Sequence, residues 1–117
     1  MIDLLLTESY SNQQNANLIQ MQLSRFMNGE TDNTAFKDAM RKALILKTQK
    51  DQDVFWNHYL SWFYVQQKEF GKAFIQEKAI YRRDPESLAN IVNLGQMAIE
   101  DNDQDSATEI LNFVLLA

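Results

Sequence analysis

Three acidic residues near the end of the chain, Asp101, Asp103 and Asp105, alternate with other residues in the way that calcium-binding loops begin. A helix-flanked calcium loop also needs a glycine at its sixth place and a glutamate at its twelfth. The chain has Ser106 and Asn112 at these places. We therefore interpret the segment as an acidic loop ahead of the last helix, and we predict neither a metal site nor a cofactor.

The chain has a single histidine, His58, and no cysteine. A protein zinc site needs further nitrogen, sulfur or carboxylate ligands, and no carboxylate is spaced on the same helix to join His58. Acid–base catalysis would need a pocket and a second group, which the sequence does not show. We predict that the protein is not an enzyme and that His58 is partly buried or faces a groove. The rival hypothesis is a helical enzyme or metal-binding domain in which carboxylates meet His58.

Basic residues are concentrated on one predicted helix and at the end of another. Cations near helix C-termini interact favourably with the helix dipole, which indicates solvated helix faces. A docking patch for an acidic partner is the alternative. The net charge is -5 and the isoelectric point is about 4.7, whereas nucleic-acid binding needs a concentrated basic face, so we predict no nucleic-acid partner. The basic residues in question are Lys37, Arg41, Lys42, Lys47, Lys50, Arg82 and Arg83.

The chain has the composition of a globular domain. Apolar residues make up 45% and charged residues 23%, which are ordinary values for such domains. Residues 1–6 lack the basic and long apolar regions of a signal peptide, and no stretch approaches the roughly 18 apolar residues that span a bilayer. We expect a soluble protein that forms one domain over residues 1–117 and does not insert into membranes.

Strong helix breakers are rare, since the chain has three glycines and one proline. This favours helices over strands and hairpins. Polar clusters at 28–33, 50–53 and 101–105 predict loops that lead into helix N-caps, and the Asp-Pro-Glu sequence at 84–86 predicts a further helix start. Apolar residues between them recur with helical spacing, so we predict an all-α fold of six helices, each of about 12–16 residues, after a short N-terminal turn.

The apolar spacing also marks the individual helices. Residues 54–65 are apolar on more than one face, which predicts a helix packed on two sides. Further helical patterns cover 70–80, 88–98 and 107–114. In the first half of the chain, apolar residues with helical spacing mark two helices, at Ile19, Leu23 and Phe26 and then at Phe36, Ala39, Met40, Ala43 and Leu46.

An offset of 34 residues relates the last two parts of the chain. Large residues and alanines recur at this distance, as when Leu60 is followed by Leu94 and Ala73 by Ala107. A fixed period of this size is typical of stacked helix–turn–helix repeats, in which each repeat buries its apolar face against its neighbours. A weaker third set lies one period earlier, at Phe26, Ala39, Ala43 and Leu46.

The pattern resembles the tetratricopeptide repeat. Counted from the first residue of each unit, this repeat has a large apolar residue at place 7, a small one at 8, alanine at 20 and proline at 32. The resemblance implies a right-handed α-α superhelix of about three helical hairpins, with units at 20–53, 54–87 and 88–117. Small residues at 8 and 20 would let the two helices of a hairpin approach closely. The chain departs from the pattern at Glu77, where an aromatic residue is usual, and at Ser61, which replaces glycine.

The resemblance also implies a binding surface, because the first helix of each tetratricopeptide hairpin lines a concave groove. Phe55 and Trp62 would be large, rigid contacts there, although both could instead pack against a neighbouring repeat. In this family a lysine and an asparagine at set places of the repeat clamp peptide carboxylates. This chain has other residues at those places, so binding of chaperone tails is not expected. The groove residues carried over are Phe55, His58, Trp62, Val65 and Gln66, then Ala89, Val92, Gln96, Ile99 and Glu100.

These observations predict a non-enzymatic interaction scaffold that binds a protein or peptide partner on a concave helical surface. A small acidic chaperone of a bacterial secretion system is the alternative. The run at 59–79 resembles a unit of long multi-repeat bacterial envelope proteins, which implies a piece of a larger solenoid that is periplasmic if its parent is exported. A further hypothesis is a homodimer through the apolar C-terminal face, residues 111–117.

Overall fold

The computed structural model describes residues 2–27 and 34–117. Within them the chain forms seven α-helices, one short 3₁₀ helix at Pro85–Ser87 and no strand, in agreement with the predicted all-α fold. The predicted N-terminal turn is wrong, since that segment forms a helix of its own. The loop predicted at 28–33 lies outside the described residues. The helices are α1 (Ile2–Ser11), α2 (Gln13–Met27), α3 (Thr34–Lys50), α4 (Val54–Gln66), α5 (Phe70–Arg83), α6 (Leu88–Glu100) and α7 (Gln104–Leu116).

The chain divides into two compact units, the first ending at Asp51 and the second beginning at Gln52. In the first unit α1 packs against α2 and α3. Among the apolar residues that marked these helices in the sequence, Phe26 and Leu46 are half-exposed and Ala39 is exposed. Leu46 lies two residues beyond the buried Leu44, and two residues turn a helix by about 200°, so Leu46 faces away from the core. The buried apolar residues of this unit are Leu6, Ala16, Ile19, Leu23, Met27, Met40 and Leu44.

The second unit consists of two helical hairpins, α4–α5 and α6–α7, with α5 also packed against α6 and α7. Each hairpin has a connection of a few residues, so its helices run antiparallel. The first residues of α4 and α6, Val54 and Leu88, are also the first residues of two predicted repeats. The predicted start at residue 20 lies inside α2. The division of residues 1–117 into three repeats of one domain stays a prediction.

Aspartates from the predicted loops cap two α-helices of the second unit, α4 and α7. The side chain of Asp53 accepts a hydrogen bond from the backbone nitrogen of Phe55 at 3.0 Å, and Asp103 accepts one from Ser106 at 3.2 Å. Such bonds satisfy backbone donors that have no partner inside the helix. Asp84 caps the 3₁₀ helix that leads into α6. The aspartates of these loops therefore have a structural role at helix starts.

The two hairpin connections have the same backbone conformation, 34 residues apart. Lys68 and Asn102 adopt left-handed conformations, with φ of 59° and 61°. In each connection the backbone N–H of the next residue, Glu69 or Asp103, donates a hydrogen bond of 2.9 Å to the backbone carbonyl five residues earlier. This is the Schellman arrangement, which satisfies the last carbonyl groups of a helix. The first helix of each hairpin, α4 or α6, therefore ends in the same way.

We expect Lys68→Gly to raise the free energy of unfolding by about 0.5–1 kcal/mol, because lysine is strained in the left-handed conformation and glycine is not. The exposed ion pair between Lys68 and Asp101 is lost, but such pairs contribute little. Asn102→Gly is the matched control and should give a smaller gain, since asparagine tolerates this conformation. Urea denaturation measures both variants. An unchanged or lower stability of Lys68→Gly would contradict the assignment of strain.

We expect Gly95→Val to destabilise the second hairpin by about 2 kcal/mol through overpacking. A β-carbon at Gly95 would lie 3.1 Å from side-chain carbons of both Ile110 and Leu111. Gly71→Ala is the control, because a β-carbon there would meet only the hydroxyl of Ser106 at 3.6 Å. Thermal unfolding should separate the two variants, with Gly71→Ala at or slightly above the wild type. Equal stability of both would show that the crossing at Gly95 has spare room.

Candidate functional site

A cavity of about 320 Å³ lies between α4 and α6 in the second unit. Each helix contributes residues at positions i, i+3, i+4 and i+7, which form one helical face. Glu77 of α5 is the remaining lining residue. The volume is at the lower end of the range of ligand pockets, which is about 300–1,000 Å³. We call this space the α4–α6 cavity. It is lined by His58, Ser61, Trp62 and Val65, then Asn90, Asn93, Leu94 and Met97, with Glu77.

Trp62 forms a fixed apolar wall of the α4–α6 cavity. Its ring meets the buried ring of Tyr59 edge to face, with centroids 5.5 Å apart. Tyr59 in turn contacts the rings of Phe55 and Trp56. Edge-to-face contacts of this kind add to the energy of burial and restrict ring orientation. One face of Trp62 is thus held by the helix, and the residue remains partly exposed toward the cavity.

Glu77 carries a carboxylate that is only half satisfied. The hydroxyl of Ser61 donates to Oε1 of Glu77 at 2.7 Å. The other oxygen, Oε2, is buried and has no hydrogen-bond partner, and the residue as a whole is 9% exposed. Leaving a buried acceptor unpaired costs about 1–3 kcal/mol, and more for a charged group. Glu77 therefore lowers the stability of the fold that holds it.

The 34-residue offset shows what fills the corresponding position in the second hairpin. In the second hairpin, Gly95 and Leu111 stand where the first hairpin has Ser61 and Glu77, and Leu111 packs closely over Gly95. A second polar pair lies beside the first, since the amide of Asn57 donates to Gln76 at 2.9 Å. The corresponding residues in the second hairpin are the fully buried Ile91 and Ile110. We call Asn57, Ser61, Gln76 and Glu77 the polar cluster.

Three of the predicted groove residues, His58, Trp62 and Val65, line the α4–α6 cavity. On α6, a lining residue lies two positions before each of Val92, Gln96 and Ile99. Two residues turn a helix by about 200°, so these three lie on the side of α6 away from the cavity. Phe55 instead packs against the rings of Trp56 and Tyr59. The predicted groove residues outside the cavity lining are Phe55, Gln66, Ala89, Val92, Gln96, Ile99 and Glu100.

The sequence pattern missed the pairing inside the polar cluster. Ser61 and Glu77 were both visible as departures from the repeat pattern, but they are 16 residues apart and on different helices. Their bond depends on how α4 crosses α5. The two departures could have been predicted to pair with each other, because one supplies a hydroxyl donor and the other a carboxylate acceptor where the repeat has apolar contacts. Asn90 and Asn93 had no such signal.

The alternating aspartates serve other purposes in the structure. Asp101 pairs with Lys68 at 2.9 Å, and Asp103 caps α7. Over residues 2–27 and 34–117, no group of three or more histidine, cysteine, aspartate or glutamate side chains is placed to hold a metal ion. In the same ranges no helix has both the length and the apolar character to cross a membrane.

The basic face of α3 is partly neutralised by its own helix. Arg41 and Lys42 both pair with Asp38. Hydrogen bonds from Lys42 and then Arg41 hold the pKa of this carboxyl below its ordinary value. At the end of α5, Arg83 donates to the backbone carbonyl of Gln52. These contacts favour the interpretation of solvated faces over that of a docking patch.

Apolar side chains are also exposed outside the α4–α6 cavity. Leu115 and Leu116, in the last turn of α7, are 81% and 89% exposed. The first unit has an apolar cavity of about 240 Å³. Homodimer formation through the C-terminal face stays a prediction. The first-unit cavity is lined by Leu5, Ile19, Gln22, Leu23, Phe26 and Phe36.

No family model, curated protein or solved structure matches this chain. The α4–α6 cavity offers a carboxylate, two amides and an imidazole beside the apolar surfaces of Trp62, Val65 and Leu94. Such a mixture can bind a ligand through hydrogen bonds, charge and apolar contact.

We expect the double variant Ser61→Ala/Glu77→Met to unfold at higher denaturant concentration, with a free energy of unfolding raised by about 1–3 kcal/mol. The change removes a buried unpaired oxygen and keeps an unbranched side chain of similar length. Urea denaturation followed by circular dichroism measures it.

The single variants are the controls. Ser61→Ala and Glu77→Ala should each lose stability, since the first leaves Oε1 unpaired and the second leaves both a cavity and an unpaired hydroxyl. A double variant that is less stable than the wild type would show that the pair stabilises the hairpin and needs no functional explanation.

Proposed function

We propose that the protein is a non-enzymatic interaction scaffold of the tetratricopeptide type, which binds a segment of a protein or peptide partner at the α4–α6 cavity. The observation that carries the proposal is the cavity itself, in which one face of α4 and one face of α6 meet around a common space. Clefts between helices that combine apolar walls with a few polar groups are common sites of segment binding.

The arrangement of the second unit supports the tetratricopeptide type. Its hairpins begin at Val54 and Leu88, and their connections repeat the same left-handed residue and the same hydrogen bonds after 34 residues. The small residue at Gly95 permits the close helix crossing that this family uses. A right-handed superhelix is the arrangement we propose for stacked hairpins of this kind.

The surfaces around the α4–α6 cavity suit a peptide segment. Trp62 supplies a large aromatic side chain of the kind that contributes most to binding energy at interfaces. Asn90 and Asn93 are exposed and present amides that both donate and accept, as the backbone of a bound segment requires. Met97 is exposed and adapts its shape readily. These side chains can contact several neighbouring residues of a partner.

The proposal can be tested by selecting peptides from a random 12-residue display library and measuring their affinity by calorimetry. We expect micromolar peptides whose affinity falls at least tenfold on Asn93→Trp, because the new indole fills the cavity from its exposed rim. Asn112→Trp is the matched control, since Asn112 is an exposed asparagine on α7 outside the cavity lining.

Two outcomes would contradict the proposal. One is a selection that enriches no binding peptide. The other is a set of peptides that bind Asn93→Trp and the wild type equally, which would place the binding surface elsewhere. Amide spectra of both tryptophan variants should match that of the wild type outside the substituted region.

A further inference from the structure

We propose that the α4–α6 cavity binds a lysine side chain of the partner, with the Glu77 carboxylate as its counter-ion. The inference rests on the proposed function, since the lysine belongs to the bound segment. It is carried by the unpartnered Oε2 of Glu77, an oxygen of a nine-tenths buried residue that lines the cavity.

The described residues provide no cation for Glu77. Oε2 has no hydrogen-bond partner, and the lysines nearest along α5 are engaged elsewhere. Lys72 pairs with Glu69 at 3.4 Å, and the ammonium of Lys78 lies 4.5 Å from the centre of the Phe74 ring. Buried charges in proteins are normally paired, because an isolated one is strongly disfavoured. A cation from outside would complete the pair.

The polar cluster places this acceptor in a position that packing alone would fill with an apolar residue. Leu111 occupies the corresponding place in the second hairpin. The hydroxyl of Ser61 holds Oε1 and so orients the carboxylate, leaving Oε2 as the free oxygen. A side chain that lowers stability and is oriented by its neighbour is typical of a functional site.

The cavity suits an ammonium group better than a guanidinium group or a metal ion. An ammonium has three donors, and three of the residues that line the cavity, Glu77, Asn90 and Asn93, carry side-chain acceptor oxygens. The aliphatic stem of lysine can pack along Trp62 and Leu94. A guanidinium prefers two free carboxylate oxygens, and one carboxylate is too few for a divalent ion.

Access to the carboxylate requires a local change. Oε2 is out of contact with solvent, so side chains at the rim must shift before an ammonium reaches it. Met97 at the rim is exposed and unbranched, and such side chains change rotamer easily. The net charge of -5 attracts a cationic segment toward the protein.

The experiment uses Nα-acetyl-lysine-N-methylamide as the probe and follows its binding to the whole protein by NMR. The indole N–H of Trp62 and the side-chain amides of Asn90 and Asn93 are direct reporters. We expect saturable shifts with a dissociation constant on the order of 1 mM, as fits a ligand of this size. The norleucine analogue, which has an uncharged side chain of similar shape, should bind at least tenfold more weakly.

Glu77→Gln should weaken binding of the lysine probe at least tenfold, because the amide keeps the shape and can still accept from Ser61 but lacks the charge. Glu109→Gln is the matched control, since it removes the same charge from an exposed site on α7 and should leave binding unchanged. Equal binding by the wild type and Glu77→Gln would overturn the proposal. So would equal binding of the lysine and norleucine probes to the wild type, a comparison that needs no variant, or tighter binding of the arginine analogue.

Failure of this inference can be told apart from failure of the proposed function. Selected peptides that are sensitive to Asn93→Trp but indifferent to replacing their lysines by norleucine would overturn the lysine site and leave the scaffold standing. The opposite result is also possible. If Glu77→Gln weakens binding of the lysine probe but Asn93→Trp leaves the affinity of the selected peptides unchanged, the cation site is supported and the scaffold proposal is overturned.

Discussion

Ser61 and Gly95 occupy the same place in the two hairpins of the second unit, and at that place two helices approach closely. At Gly95 the space left for a side chain is so small that an added β-carbon would lie 3.1 Å from carbon atoms of the facing helix. Close crossings of this kind allow side chains of each helix to fill the grooves of the other. Whatever stands opposite the small residue must therefore fit against it, and this pairing controls how each hairpin packs.

The first hairpin meets this requirement with polar side chains. Ser61 and Glu77 satisfy each other through one hydrogen bond, and Asn57 and Gln76 form another beside it. A fully satisfied polar network specifies one packing arrangement, whereas a partly satisfied one lowers stability. The polar cluster is of the second kind because of Oε2. The first hairpin therefore packs less favourably at this place than the second. It holds instead a carboxylate on one of the residues that line the cavity.

Much of the helical fold could be predicted from sequence, because helix boundaries depend on local chemistry. Asp53 and Asp103 cap the helices they precede, and α4 and α6 begin at the residues that the 34-residue offset indicates. The helix α1 was not predicted, since the segment was interpreted as a short N-terminal turn. The candidate site was only partly predictable. Which face of α6 meets α4 depends on the packing of α5 between the hairpins, and no local pattern encodes that choice.

The ion pair between Lys68 and Asp101 joins the connections of the two hairpins. Both connections therefore lie at the same end of the second unit, so α4 and α6 point in one direction while α5 and α7 point in the other. Each helix carries a dipole with a positive N-terminus and a negative C-terminus. In this arrangement α5 packs against α4 and α6 with its dipole opposed to theirs, and it also packs against α7, which points the same way. The dipole of α5 therefore partly offsets the dipoles of α4 and α6, the two helices that provide most of the cavity lining.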